Sequence, residues 1–421
     1  MKVLWFSLSP CGALRRDNSD IVFNSWIISL EDEIKRMPQV ELSVAYISNN
    51  EKNTFKYDSV TYYPIHLPKS PIPIFRILER LKSISYRDNK ILPKMVEIIN
   101  TCKPDLIHIH GTEECFGLIQ DHIQDIPIAF SIQGLIAPYA QKYFSGITQS
   151  DIIKREKITE YLRCISTNIE YRKFKERGER ECNYLKNAKY IFGRTFWDRE
   201  ITGLLNPDRK YYVINEILRK PFYSKIWIKD SFNSKLKIVS TISGGAYKGY
   251  ETVLKSAKLL KEYSNIDFEW HIAGYTHKSK WLKITEKTIG IKSDDVNIVL
   301  HGRLNAEDLS SLLIECDIYV QVSHIENSPN SVCEAMLVGM PVIASFAGGT
   351  CSLIENEKEG LLVQDGDPYV LSGAIVRVQN DFAMSKQWAD NARIKASQRH
   401  NPHAICKSLV DVYYEILSMN T

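Results

Sequence analysis

Two glutamates, Glu326 and Glu334, stand eight residues apart in the stretch HIENSPNSVCEAMLVGMPVIASFAGG, His324–Gly349. Between them lies Asn-Ser-Pro-Asn-Ser, and after them comes an apolar run closed by Gly339 and Pro341. Carboxylates accept hydrogen bonds from hydroxyls, and the open N–H groups of a helix N-terminus attract anions. Ser328 offers a capping side chain, Pro329 suits the first helical position, and Gly339 before Pro341 stops the helix. The N–H groups around Asn330 and Ser331 then form an anion site, with Glu326 on the loop before it and Glu334 near the first turn. Two carboxylates flanking such a site are suited to hold a ribose and a hexose on either side of a diphosphate. Each glutamate taken alone has a plainer explanation, Glu334 complementing the helix dipole and Glu326 solvated on a loop.

A second stretch, TISGGAYKGYETVLKSAKLL, ends a strand at Ile242, turns through Gly244 and Gly245, and opens an amphipathic helix at Lys248-Gly249. A lysine in that place reaches a pyrophosphate, helped by backbone N–H groups; by itself it is an ordinary surface lysine. In the first half, PDLIHIHG ends a strand with His108 and His110 on one face, a spacing that suits a metal pair but lacks a nearby carboxylate or cysteine. Asp365-Gly366-Asp367 before Pro368 is a turn with Asp367 as helix cap, and no catalytic metal is expected.

The segment SHIENSPNSVCEAMLVGMPVIAS, continued by Ala347–Gly349 and by EGLLVQDGDP at Glu359–Pro368, resembles the E-x7-E signature of family 4 retaining glycosyltransferases. The resemblance implies the GT-B fold: α/β, two Rossmann-like domains with parallel sheets facing an interdomain cleft, and a C-terminal helix crossing back to the first domain. It implies that Glu334 contacts the nucleotide ribose, that Glu326 lies near the transferred sugar, and that Lys248, with Gly244, Gly245, Asn330 and Ser331, binds the donor diphosphate. Glu326 and Lys248 are the catalytic candidates. Relatives usually carry an arginine five or six residues before the lysine; here those positions are Ser243 and Ile242. Arg194 in GRTFWDRE, or Arg303, is then the expected second cation of the donor site. His110 is the acceptor-side candidate, with Gln133 in SIQGL, where many relatives have His-Gly.

The activity so implied is transfer of a sugar from a UDP- or GDP-sugar, with retention, to a hydroxyl of a glycan or lipid-linked glycan in surface polysaccharide assembly such as capsule or O-antigen. No nucleophile is in place, which favours front-face displacement. Basic segments at Lys69–Lys90 and Lys154–Lys186 suit peripheral contact with an anionic membrane, on the cytoplasmic face of the inner membrane. The alternatives are a nucleotide-sugar 2-epimerase of the same fold and a non-catalytic two-lobed sugar-binding protein.

The elements must place these residues at strand ends. A length of 421 residues favours two domains, and 44% hydrophobic with 25% charged residues is a globular composition. A formal charge of +4 is too mild for a nucleic-acid binder. Nine scattered cysteines without a C-x-x-C pair indicate reduced thiols in a cytoplasmic protein. The apolar start is broken by Ser-Pro and reads as a first buried strand, not a leader, and no run is long enough to span a membrane. Strands are expected at Val3–Leu8, Leu42–Tyr46, Leu106–His110, Ile126–Ser131 and Tyr190–Phe192. A second series follows at Lys237–Ile242, Phe268–Ala273, Asn297–His301, Ile318–Val322, Val342–Ser345 and Leu361–Val363. Helices are expected at Ile21–Arg36 and Leu92–Cys102, as one or two charged helices in Asp151–Asn187, and at Tyr250–Tyr263, Ala306–Cys316, Asn330–Val338, Tyr369–Gln379 and Pro402–Leu417. The domains are drawn as 1–215, 216–400 and a 401–421 helix packing back on the first. In open parallel sheets ligands bind beyond the carboxyl ends of the strands.

Overall fold

The computed structural model describes residues 1–15 and 26–420. Contacts divide the chain into two units, one of Met1–Ala140, Lys157–Ile217 and Asn401–Thr421, the other of Gln141–Glu156 and Leu218–His400. The excursion of Gln141–Glu156 into the second unit carries no sign in the hydrophobic pattern.

In the first unit the strands are β1 (Lys2–Ser7), β2 (Glu41–Ser48), β3 (Phe55–Tyr57), β4 (Val60–His66), β5 (Leu106–His110), β6 (Ile128–Ser131), β7 (Tyr190–Gly193) and β8 (Lys210–Val213). They form one sheet in the order β3-β4-β2-β1-β5-β6-β7-β8, parallel except for the β3–β4 hairpin. Central β1 pairs on both sides, Trp5 lying opposite Val44 and His108. Its alternate side chains feed two cores: Val3 and Trp5 one face, Leu4 and Phe6 the other. The first face is covered by helices Trp26–Ile34 and Pro402–Ser418, the second by Ile84–Cys102 and Thr167–Leu185.

The helix at 402–418 packs on the first unit as the resemblance implies. Its Tyr413 hydroxyl meets His108 Nδ1 at 2.6 Å and accepts from Trp5 Nε1 at 3.1 Å. Of the helix expected at Ile21–Arg36, residues 21–25 lie outside the described residues. The charged stretch expected as one or two helices is three: Gln149–Arg155, Ile158–Leu162 and Thr167–Leu185. The β3–β4 hairpin and β8 were not anticipated. The hairpin turns on Asp58 and Ser59, both at positive φ, without the Asn-Gly or Asp-Gly pair that announces such turns. β8 is an edge strand with no fully buried residue.

In the second unit β9 (Leu236–Thr241), β10 (Phe268–Ala273), β11 (Ile298–Gly302), β12 (Ile318–Gln321), β13 (Val342–Phe346) and β14 (Leu361–Gln364) form a parallel sheet in the order β11-β10-β9-β12-β13-β14. The chain moves outward from β9 in one direction and from β12 in the other, so the gap between them is the switch point where doubly wound sheets bind ligands. Ile238, Trp270, Val320 and Ile343 fill one face; Val239, Tyr319, Val342 and Ala344 fill the other. Helix Asn330–Val338 has every residue from Val332 onward buried, which is why it reads as an unbroken apolar run. Among the described residues no helix is long and apolar enough to cross a membrane.

Candidate functional site at the switch point of the second unit

The loop leaving β9 takes Gly244 at φ 95° and Gly249 at φ 78°. A Cβ on Gly249 would stand 2.0 Å from the Val322 carbonyl oxygen, so the loop after β9 lies backbone against backbone on the end of β12. That approach brings Lys248 Nζ to 2.5 Å from Glu326 Oε1. The two catalytic candidates are thus an ion pair, and both remain partly exposed. Burial pulls the Lys248 pKa down, but the Glu326 charge outweighs it and the ammonium is held above its ordinary range. Glu326 is fixed from behind by the turn after β13. Its carbonyl accepts from the Gly349 N–H at 2.8 Å, and Gly348, at φ 56°, has no room for a Cβ beside that same oxygen.

The helix after this loop spans the expected Asn330–Val338, but its cap falls one residue later than the Ser328 expected. Pro329, at ψ 109°, is the cap position and Asn330 the first helical residue, while Ser328 lies ahead of the cap. The first intrahelical bonds come from Val332 and Cys333 to the Pro329 carbonyl, which leaves the Asn330 and Ser331 N–H groups ahead of the ladder. Asn330 Oδ1 is buried with no hydrogen-bond partner among the described residues, the state expected of a group waiting for a ligand or water. Ser331 bonds the hydroxyl of Tyr319, which also meets Thr241 Oγ1 at 2.7 Å; burial pushes that phenol up to about 12.

Glu334 lies in the second turn, not the first, and is 2% exposed. Arg219 donates to it twice, Nε at 2.6 Å and Nη2 at 2.7 Å, with the guanidinium 4.8 Å over the Phe222 ring. A carboxylate with two such bonds keeps further lone pairs for hydroxyls. Sequence reasoning missed Arg219, whose partner is 115 residues away.

It also missed His324. The imidazole is buried between two acids, Nε2 at 2.7 Å from Glu251 Oε1 and Nδ1 at 3.1 Å from Asp365 Oδ2. Burial works against its charged form, but the bonds to Glu251 and Asp365 prevail and the pKa is raised. Asp367 caps helix Pro368–Asn380 by accepting from Tyr369 and Val370 N–H, the role its setting predicts.

The remaining candidates are placed otherwise. Arg194 belongs to the first unit, where it is buried 4.3 Å over the Trp26 ring and 3.4 Å from Glu216. Arg303 is exposed and follows edge strand β11, two strands from β9, or about 10 Å at ordinary strand spacing. His110 is fully buried against Trp5, His108 and Trp26, and burial depresses its pKa. Both of its ring nitrogens are buried without a hydrogen-bond partner among the described residues. His108 is a satisfied core histidine, bonded to Tyr413 and to Ser131 Oγ at 2.7 Å. Gln133 is half-buried beside Gly111.

Residues 225–395 match the family described as Glycosyl transferases group 1. The amylovoran biosynthesis glycosyltransferase AmsK of Erwinia amylovora is 27% identical over 222 residues, 51% of this chain and 53% of AmsK, so the chain spans about half the length of that relative. The sucrose-phosphate synthase of Thermosynechococcus elongatus superposes with a TM-score of 0.70 at 15% identity, covering 99% of both chains. HepE of Anabaena, solved in complex with UDP and glucose, gives 0.65 at 16% identity, covering 98% of this chain and 99% of HepE. These likenesses bear out the GT-B class of two parallel-sheet α/β domains. The matched stretch contains Lys248, His324, Glu326 and Glu334, so the likeness to the glycosyl transferases group 1 family lies in the second unit and covers these residues.

Proposed function

We propose that the protein is a retaining glycosyltransferase that moves a sugar from a nucleotide-diphosphate donor to a hydroxyl of a glycan or lipid-linked glycan in surface polysaccharide assembly. The observation that carries this is the Lys248–Glu326 pair at the β9/β12 switch point, beside the helix end at Asn330. The UDP and glucose bound by HepE favour UDP as the nucleotide, and AmsK's place in amylovoran biosynthesis favours a polysaccharide product.

In this mechanism the acceptor oxygen bonds to the anomeric carbon on the face from which the phosphate departs. The C–O bond to phosphate breaks, and the acceptor proton passes to the leaving phosphate oxygen. Lys248 and the Asn330 and Ser331 N–H groups meet the growing negative charge, a preorganised electrostatic contribution. An ammonium has three donors, so Lys248 serves the phosphate and Glu326 together. Glu326 orients the sugar and Glu334 accepts from the ribose. With a fixed cation and helix end at the phosphates, transfer is expected to proceed without a metal and to resist EDTA.

The membrane-facing element in this reading is helix Pro73–Leu81 in the first unit. It buries no residue, exposes Ile74, Phe75, Leu78 and Leu81, and is flanked by Arg76, Arg80 and Lys82, a pattern suited to an anionic leaflet on the cytoplasmic side.

A thermal-shift screen with UDP, GDP and their sugars, followed by proton NMR of the product linkage, tests the reading. UDP or GDP should raise Tm, and the product should keep the donor's anomeric configuration. Failure of both diphosphates to shift Tm sinks the donor assignment, turnover without acceptor points to the epimerase, and a trapped glycosyl-enzyme overturns front-face displacement.

A further inference from the structure

The loop that carries Glu326 needs a restraint at its front end, and His324 sits there. Three segments distant in sequence meet at its ring: Glu251 from the first turn of helix Tyr250–Tyr263, Asp365 from the turn after β14, and His324 itself after β12. A neutral imidazole has one N–H and one bare nitrogen, so it donates to a single acceptor. Its other nitrogen would meet a carboxylate oxygen lone pair to lone pair. Carboxylate oxygens at 2.7 and 3.1 Å from the two nitrogens are satisfied together only when both nitrogens carry protons.

The backbone of the same residue joins the two loops of the site. The His324 N–H donates to the Tyr247 carbonyl at 2.8 Å, one residue before Lys248 and two before Glu326. We propose that His324 is a positioning residue, an imidazolium strut that holds the Glu326 loop against the Lys248 loop and so sets the geometry in which the donor diphosphate is bound. This rests on the donor-site function proposed above.

The charged groups around the ring come from every neighbouring segment. Glu251 and Asp365 flank it, Lys142 of the Gln141–Glu156 segment lies 3.8 Å from Asp365 Oδ2, and the Lys248–Glu326 pair completes the two loops. Deprotonation would leave buried Glu251 or half-exposed Asp365 facing a bare nitrogen, and the strut would fail. Because the His324 pKa is raised above 6.5, the restraint is complete below that value and is lost as pH rises through the raised one.

Two measurements on the full chain decide the matter. Nitrogen-15 NMR of labelled histidine, with His324→Gln for assignment, should show both ring nitrogens mostly protonated at about pH 6.5, where an ordinary histidine is half titrated. A mostly singly protonated ring at that pH overturns the proposal. UDP affinity measured calorimetrically against pH should fall about tenfold in the wild type as His324 titrates, the order of one charge-assisted hydrogen bond. His324→Gln should be about tenfold weaker throughout and lack that step. Wild-type affinity in this variant at every pH also overturns the proposal. If His324→Gln does not fold, Asp365→Asn replaces it and should move the loss of affinity to lower pH; an unmoved profile counts against the strut. If the wild type binds neither UDP nor GDP, the proposed function falls, and the NMR result alone still judges the protonation of His324.

Discussion

The Lys248–Glu326 contact joins residues 78 apart in sequence, and its partly exposed setting separates its chemical from its structural weight. A partly buried pair of this kind contributes on the order of 1 kcal/mol to stability, whereas one preorganised donor at a developing charge is worth about 100- to 1,000-fold in rate. Lys248→Ala is therefore expected to lower kcat by about that factor with little change in Tm, measured by transfer of labelled sugar from UDP-sugar. Wild-type kcat in this variant would remove Lys248 from the chemistry. Arg219→Ala should behave in the opposite way. It strands the buried Glu334 carboxylate, and a loss of about 3 kcal/mol is expected in chemical denaturation. The glutamates and Lys248 were legible because their signal is local: a helix start, a glycine turn, a fixed spacing. Arg219 and the His324 clamp were not, because each depends on partners brought together only by the sheet order.

At the scale of elements, strands β5 and β10 and helices Tyr250–Tyr263 and Asn330–Val338 coincide with the expected ranges. Central parallel strands are buried on both faces and therefore read as apolar runs. The failures are edge elements: a hairpin whose turn lacks glycine, and β8, whose mixed exposure gives no apolar run. The glycine after β13 has an energetic meaning that its run of neighbours only hinted at. Gly348→Ala should displace the Glu326 carbonyl, cost about 1–3 kcal/mol and lower UDP affinity, because φ is positive there and the Cβ has nowhere to go. An alanine variant with unchanged Tm and affinity would show that the turn adapts. Tyr413→Phe tests the seam between helix Pro402–Ser418 and β1. It leaves His108 and the Trp5 indole N–H without their buried partner and should cost about 2 kcal/mol by urea denaturation.

At the scale of the whole molecule, each unit has its own sheet and its own cores, so functions assigned to one can be altered without the other. The exposed apolar face of helix Pro73–Leu81 offers a direct case. Phe75→Glu with Leu78→Glu should abolish sedimentation with vesicles rich in phosphatidylglycerol while leaving UDP binding intact. Equal sedimentation of variant and wild type would rule this helix out as the docking element.

The joining of Trp5 to Tyr413, 408 residues apart, also has a consequence in time. A ribosome releases β1 long before it has made helix Pro402–Ser418, and the sheet face that helix shares with Trp26–Ile34 stays partly uncovered until then. The second unit, closed by His400, has all its segments at hand earlier. Synthesis order therefore favours completion of the later-encoded unit first, and the waiting strands around Trp5 are where a chaperone would be expected to bind the nascent chain.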